Sequence, residues 1–296
     1  MVNFAHSKFS VFVMAQFPDT LRAEVQVNVQ TALAEDLGSG DLTAQLSPAG
    51  RMSRGTVICR EAAVIAGTAW FDACFNQLDK TARIRWHVAD SETVRAGQAL
   101  CEIQANTRAL LSAERAALNF LQLLSATATV TRLYVDAVAG TRAQIVDTRK
   151  TLPGLRLAQK YAVRCGGGTN HRLGLYDGIL IKENHIMAAG GVRPALIAAQ
   201  ALAKENVFIQ IEVETLAQLD DALTVGAKLI LLDNMDLQQM ADAVRITNGR
   251  AKLEASGGVR LDTVRAIAET GVDRISIGSL TKDICAIDLS LRHSED

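Results

Sequence analysis

The sequence predicts an α/β protein in two parts: a small, mainly antiparallel sheet with helices, then a parallel α/β sheet most simply closed as an incomplete barrel. Three observations predict it. Between Gly55 and Gln104, short β-rich runs alternate with turns. After Gly140, six short apolar runs alternate with helix-patterned segments, the rhythm of a parallel sheet. Each of those six runs also ends in charged or small polar residues, and the carboxyl ends of parallel strands are where such folds place their chemistry.

Taken in order, the first 18 residues mix apolar and polar types, MVNFAHSKFSVFVMAQFP. They lack a signal-peptide core and cleavage site, so residues 1–18 are expected to form a loosely held extension, with initiation at Met14 left open. From Asp19 to Leu37, apolar Val25, Val29, Leu33 and Leu37 fall four apart, as on a helix face. The glycines and acids of EDLGSGDLT, Glu35–Thr43, mark a turn or loop. Strands are expected at 56–59, 63–66, 84–88 and 99–103, with a helix near 70–78. A carrier module with a modifiable lysine is a poor match, because no Met-Lys-Met turn is present. Ser112 is placed as the N-cap of a long helix stopped by Gly140. Arg115 would then stand in the first turn, where the helix dipole disfavours a cation. An external partner, or a local contact to Glu102 or Glu114, would answer that misfit.

The second part is expected to hold strands at 144–146, 178–181, 207–213, 228–232, 252–255 and 274–277. Helices fall near 155–165, 192–203, 215–225, 236–247 and 261–269. Six units are fewer than the usual eight. An open doubly wound sheet is the alternative, although no GxGxxG follows the first strand. The domain reading is therefore an extension over 1–18, a sandwich domain over 19–138 to which 286–296 returns, and a barrel domain over 139–285.

The chain has 296 residues, 49% hydrophobic and 21% charged, with a net charge of −1. That charge provides no global field for nucleic acid or an acidic membrane surface, so any attraction for anions is local. No apolar run approaches the roughly 18 residues of a membrane span. Five scattered cysteines form no CxxC and no metal-like pairing with histidine. They read as core thiols of a reducing, cytoplasmic compartment.

The strand ends gather by type. The first carries Asp147-Thr148-Arg149-Lys150 and the second Lys182-Glu183-Asn184. Between them, a triple glycine (166–168) leads into His171-Arg172. The third strand end gives Glu212 and Glu214, the fourth Asp233-Asn234, the fifth Ser256-Gly257-Gly258 and the sixth Gly278-Ser279. Cations on one side make an anion site. Glycines let backbone N–H groups approach phosphate oxygens, and a following helix would add its positive end. Glu212 and Asp233 suit a divalent metal, acid–base work or a developing cation. Glu214 falls on the same strand face, further out, with a loop role equally open. His171 and His185 read more readily as hydrogen-bond groups than as catalysts.

With these residues in view, DTRKTLPGLR, CGGGTNHRLGLYDGILIKENHI, IEVE, LLDN, TNG and ISIGSLT resemble the quinolinate phosphoribosyltransferases, as do ERAALNFLQ and EDLGSGDLT in the first half. The resemblance runs from about Val25 to Leu291. It implies the type II phosphoribosyltransferase fold, an α/β sandwich plus an incomplete α/β barrel. The implied reaction joins quinolinate to 5-phosphoribosyl-1-pyrophosphate with Mg²⁺, giving nicotinate mononucleotide, pyrophosphate and CO₂ in NAD biosynthesis. No organic cofactor is implied. Carried over residue by residue, Thr148, Arg149, Lys150, His171, Arg172 and Lys182 would line the substrate pocket. Ser256, Gly257, Gly258, Gly278 and Ser279 would cradle the 5′-phosphate. Glu212 and Asp233 would face the ribose and hold Mg²⁺ indirectly, and Lys150, Glu212 and Asp233 are the candidates for catalysis. The resemblance also implies a homodimer, with higher oligomers left open, in which Arg115 enters the neighbouring site. Two other readings stand beside it: a Schiff-base barrel lyase using Lys182 or Lys150, and a non-catalytic or molybdenum-associated homologue.

Overall fold

The computed structural model describes residues 19–294; the expectation for residues 1–18 lies outside them. Helix α1 (Asp19–Leu37) buries Val25, Val29 and Leu33, the stripe predicted from their spacing. Next come β1 (Met52–Cys59), β2 (Ala63–Val64), α2 (Thr68–Leu78), β3 (Arg83–Trp86), β4 (Thr93–Val94), β5 (Ala99–Asn106) and α3 (Thr107–Ala137). Trp70, Phe71 and Phe75 of α2 are buried against α1 and α3. Each such side chain contributes about 1.5–3 kcal/mol of apolar burial. Asn28 of α1 accepts from the Trp70 indole at 3.0 Å, so the one polar group on that ring is satisfied.

Helix α3 corrects the sequence reading. It begins at Thr107, with Asn106 as the N-cap accepting from the Arg108 amide at 3.0 Å. No glycine or proline separates the end of β5 from the helix, and the buried stripe Ala109, Leu110, Ala113 already belongs to it. Ser112 is interior, and its hydroxyl donates to Asp41 at 2.8 Å. Arg115, eight residues past the start, stands in the third turn, so the dipole misfit does not exist.

The second half contains β6 (Gln144–Val146), α4 (Arg156–Cys165), β7 (Gly178–Ile181), α5 (Glu183–Ala189), α6 (Val192–Leu202), β8 (Phe208–Val213) and α7 (Leu216–Thr224). It continues through β9 (Leu229–Asp233), α8 (Leu237–Thr247), β10 (Lys252–Ser256), α9 (Val264–Glu269), β11 (Arg274–Ser276), α10 (Ser279–Lys282) and β12 (Leu289–Ser294). Six parallel strands run in the order β6-β11-β10-β9-β8-β7, and the barrel is not closed between β6 and β7. Into that gap comes Thr169, whose amide donates to Ile145 and whose carbonyl accepts from Asp147. Strand β12 leaves this half and pairs antiparallel with β1, extending the first sheet to β12-β1-β5-β3.

Strand alternation decides what reaches the interior. Ile211, Val213, Ile230, Leu232, Leu253, Ala255 and Ile275 pack together in one apolar cluster. Their neighbours Glu212, Leu231, Asp233, Glu254, Ser256 and Ser276 line the cavity instead. The triple glycine also has a packing role. A Cβ on Gly166 would overlap the Ala128 carbonyl, and one on Gly168 would meet Thr131 and Val163 at 2.8 Å. These glycines let the turn after α4 lie against α3, which delivers His171 and Arg172 to the open side of the barrel.

Candidate active site

A cavity of about 1330 Å³ opens at the carboxyl ends of the strands. It brings together every predicted site residue except Arg115. Seven cations border it (Arg149, Lys150, Arg156, Arg172, Lys182, Arg260, Lys282) against four acids (Glu212, Asp233, Glu254, Asp283). That is a local excess of three positive charges in a nearly neutral chain. In a partly dry site such an excess favours polyanions far more than it would in water.

The two cationic loops are locked to each other from beneath. Asp147, at the end of β6, is fully buried. It accepts from the Lys160 ammonium at 2.5 Å, the His171 amide at 2.7 Å and the Asn170 side chain at 2.6 Å. Burial works against charge on both Asp147 and Lys160, and the converging donors hold the pair ionised. Lys160 also donates to the His171 carbonyl at 3.0 Å. Above this pair, the Thr148 hydroxyl accepts from the Lys150 amide at 3.0 Å. Arg156 donates to Thr151 at 3.1 Å and to the Leu173 carbonyl at 3.2 Å, tying the loops a second time.

Arg172 donates to the Gly178 carbonyl at 2.9 Å. Burial, and then the neighbouring Arg149 charge, holds its guanidinium below its ordinary pKa. Two guanidinium groups that repel each other form a site prepared for an anion. His171 is fully engaged by protein: Nδ1 accepts from the Arg172 amide and Nε2 faces Gln210, each at 2.7 Å. In this arrangement it has no free N–H for a carboxylate. His185 accepts from the Lys182 amide at 2.9 Å, a helix-capping bond at the start of α5.

Lys182 and Glu212 form an ion pair at 3.1 Å, so the second and third strand ends meet directly. Asp233 accepts from the Asn234 side chain at 2.9 Å through Oδ2. Glu214 is exposed, does not line the cavity, and its amide donates to Gln218. Gly257 and Gly258 have φ of +105° and +56°, which glycine adopts without strain. The expected helix behind them is displaced: α9 starts only at Val264, and α10 after Gly278 is four residues long. Backbone amides of the loops, with little helix dipole, therefore form the small-residue rim. A Cβ on Gly278 would meet Lys150 Cδ at 2.8 Å, so that glycine lets the lysine lie across it. Thr281 fastens the same loop by donating to the Lys150 carbonyl at 2.8 Å.

A profile described as quinolinate phosphoribosyl transferase, N-terminal domain, matches residues 41–125, and the C-terminal domain profile matches 127–292. The chain belongs to the quinolinate phosphoribosyltransferase family. A nicotinate-nucleotide pyrophosphorylase [carboxylating] of Mycobacterium leprae is 46% identical over 273 residues, 89% of this chain and 95% of that protein. A quinolinate phosphoribosyltransferase [decarboxylating] of Nicotiana tabacum is 39% identical over 89% of this chain and 80% of its own. The solved nicotinate-nucleotide pyrophosphorylase of Francisella tularensis superposes with a TM-score of 0.88, at 42% identity, over 96% of this chain and all of that one.

Within this quinolinate phosphoribosyltransferase fold, the sequence reading missed Arg156 and Glu254 at the cavity wall, and the Asp147–Lys160 support. Arg156 closes the quoted DTRKTLPGLR motif and was within reach of a reading by motif. Lys160 falls inside the helix-patterned segment near 155–165, and the fold buries it. Arg115 is exposed and lines a separate groove of about 600 Å³ beside α1, with Phe120, Leu123, Pro153 and Leu155. Neither acid expected nearby pairs with it: Glu102 holds Arg85 and His87, and Glu114 holds His293.

Proposed function

We propose that the chain transfers the phosphoribosyl group of 5-phosphoribosyl-1-pyrophosphate to quinolinate, giving nicotinate mononucleotide, pyrophosphate and CO₂. One observation carries the reading: a single cavity brings the cations Arg149, Arg172 and Lys182 together with the small-residue rim of Ser256–Gly258 and Gly278–Ser279 and with the acids Glu212 and Asp233. A pyridine dicarboxylate fits the first group and a sugar phosphate the second. As pyrophosphate leaves C1, the ribose carbon becomes cationic. Glu212 and Asp233 supply negative charge where that cation develops, and the ring nitrogen captures it. The nitrogen is then quaternary, so loss of the 2-carboxylate leaves a carbanion stabilised beside N⁺. That carbon then takes a proton.

Among the described residues, no three histidine, cysteine, aspartate or glutamate groups gather to hold a metal. Two carboxylates on adjacent strands do suit Mg²⁺ that arrives with a pyrophosphate and keeps its waters. Glu212 and Asp233 would hold it, and it would neutralise charge on the leaving pyrophosphate. A Schiff-base lyase using Lys182 is disfavoured because that lysine is engaged by Glu212, and an ion-paired ammonium is no nucleophile.

The assembly proposed with this activity is a two-fold homodimer in which Arg115 completes the neighbouring subunit's cavity. Its support is the exposure of Arg115 outside its own cavity, together with the family resemblance. No described helix is long and apolar enough to cross a membrane. Of the five unpaired cysteines, Cys59, Cys74, Cys101 and Cys165 are buried, whereas Cys285 is exposed and is not the core thiol expected of it; unpaired thiols fit a reducing cytoplasm.

The test is purified protein with quinolinate, phosphoribosyl pyrophosphate and Mg²⁺, measuring mononucleotide and CO₂ together. Nicotinate, with one carboxylate, should react poorly, because part of a desolvated cation cluster stays unpaired at a cost of roughly 2–5 kcal/mol. Equal kcat/KM for the two acids would overturn the assignment.

A further inference from the structure

Beneath the cavity lies a polar floor that the proposed chemistry leaves unused. Gln210 of β8 and Glu254 of β10 are fully buried, and the Arg274 side chain of β11 is 16% exposed. Burying such groups is costly unless they are paired. Yet Gln210 Nε2, both Glu254 oxygens and Arg274 Nε lack a hydrogen-bond partner among the described residues. Glu254 and Arg274 meet as charges at 3.2 Å. A fold does not retain such groups for stability, so their use lies in what they hold.

They hold His171. The Arg172 backbone amide donates to Nδ1 at 2.7 Å, and an amide cannot act as an acceptor. The ring proton is therefore on Nε2, which donates to Gln210 Oε1 at 2.7 Å. Glu254 Oε1 lies 3.8 Å from the same nitrogen. The other groups facing the ring or its backbone are Asp147 of β6, Lys160 of α4, Arg274 of β11 and the Phe208 edge at 5.7 Å. Among these charges Glu254 favours the protonated ring, while Arg274 and Lys160 oppose it. Burial then decides, holding its pKa below the ordinary histidine value against the pull of Glu254.

We infer that Gln210 is a positioning residue: it fixes His171 as the neutral Nε2–H tautomer, and the ring's Nδ1 in turn anchors the backbone of the substrate-binding Arg172. This rests on the proposed role of Arg172 in binding quinolinate. A protonated His171 would present a donor to the Arg172 amide, and that anchor would be lost.

The test pairs ¹⁵N NMR of histidine-labelled protein with calorimetric titration of each substrate. The His171 resonance is assigned by its loss in His171→Gln. In the unaltered protein the ring should stay neutral and Nε2-protonated from about pH 6 to 8, across the usual histidine range. Gln210→Met should release the single tautomer and weaken quinolinate about tenfold or more, with phosphoribosyl pyrophosphate affinity changed less than about twofold. An Nδ1-protonated or charged His171 at pH 7, or a Met variant that weakens both substrates equally or neither, overturns the inference. If unaltered protein fails to bind quinolinate, the proposed function falls, and the ring tautomer alone decides the hold of the floor on His171.

Discussion

Asp233 owes its orientation to two residues that have no charge. Asn234 sits in the left-handed region at φ +53°, its amide donating to the Ser256 carbonyl at 3.1 Å and its side chain to Asp233. A methyl group on Gly257 would overlap Asn234 Oδ1, and φ +105° would strain any other residue there. Gly257→Ala should therefore displace Asn234, free Asp233 to rotate, and lower kcat about tenfold, or about 1.4 kcal/mol. Quinolinate affinity should persist, because the cations sit on other strands. Steady-state kinetics and calorimetry check this together; weakened quinolinate binding with kcat intact would contradict the division of the cavity.

Helix α3 and its neighbours bear on stability. Glycine at an N-cap costs a few tenths of a kcal/mol, whereas in a helix interior it costs about 1 kcal/mol. Ser112→Gly also removes the bond to Asp41, so denaturant unfolding should show a loss of about 2 kcal/mol. A loss of a few tenths would restore Ser112 as the cap. On α2, Asp72 accepts from the Trp86 indole at 2.8 Å, and burial, then the Asp90 charge, pushes its pKa up to about 6. A raised carboxyl favours the fold below its unfolded pKa near 4, and that contribution is lost as pH rises through about 6. The stability advantage of Asp72→Asn over the unaltered chain should thus grow by roughly 2 kcal/mol between pH 4.5 and 7.5 in urea unfolding. A pH-independent difference would remove Asp72 from the account. Elements of this kind were legible where apolar residues recur: the α1 stripe and all six parallel strands. The floor was not. Gln210 lies between Ile209 and Ile211, which reads as a polar outer face. A barrel makes that face its interior, and only the strand order shows it. The strand ends were legible because charged residues directly follow apolar runs, whereas Ser112 was misplaced because any serine before an apolar stripe looks like a cap.

The molecule as a whole is proposed to work in pairs, and complementation tests this. Arg115→Ala and Lys150→Ala subunits should each form inactive dimers. After subunit exchange, a mixed dimer has one site with both defects and one with neither, so activity should return at up to one site per heterodimer. Exchanged dimers that stay inactive would place Arg115 outside any shared site. The pairing of β12 with β1 also gives the protein a timetable. Arg60 and Ser290, joined at 3.1 Å, are 230 residues apart. At about 5–20 residues per second on the ribosome, the edge of β1 is made roughly 10–50 seconds before its partner strand exists. During that interval the nascent first domain carries an open strand edge, the template for misassociation between chains. Loss of β12 should therefore register in the cell first as lower yield of soluble protein, before any change in the chemistry of a barrel that does not contain it.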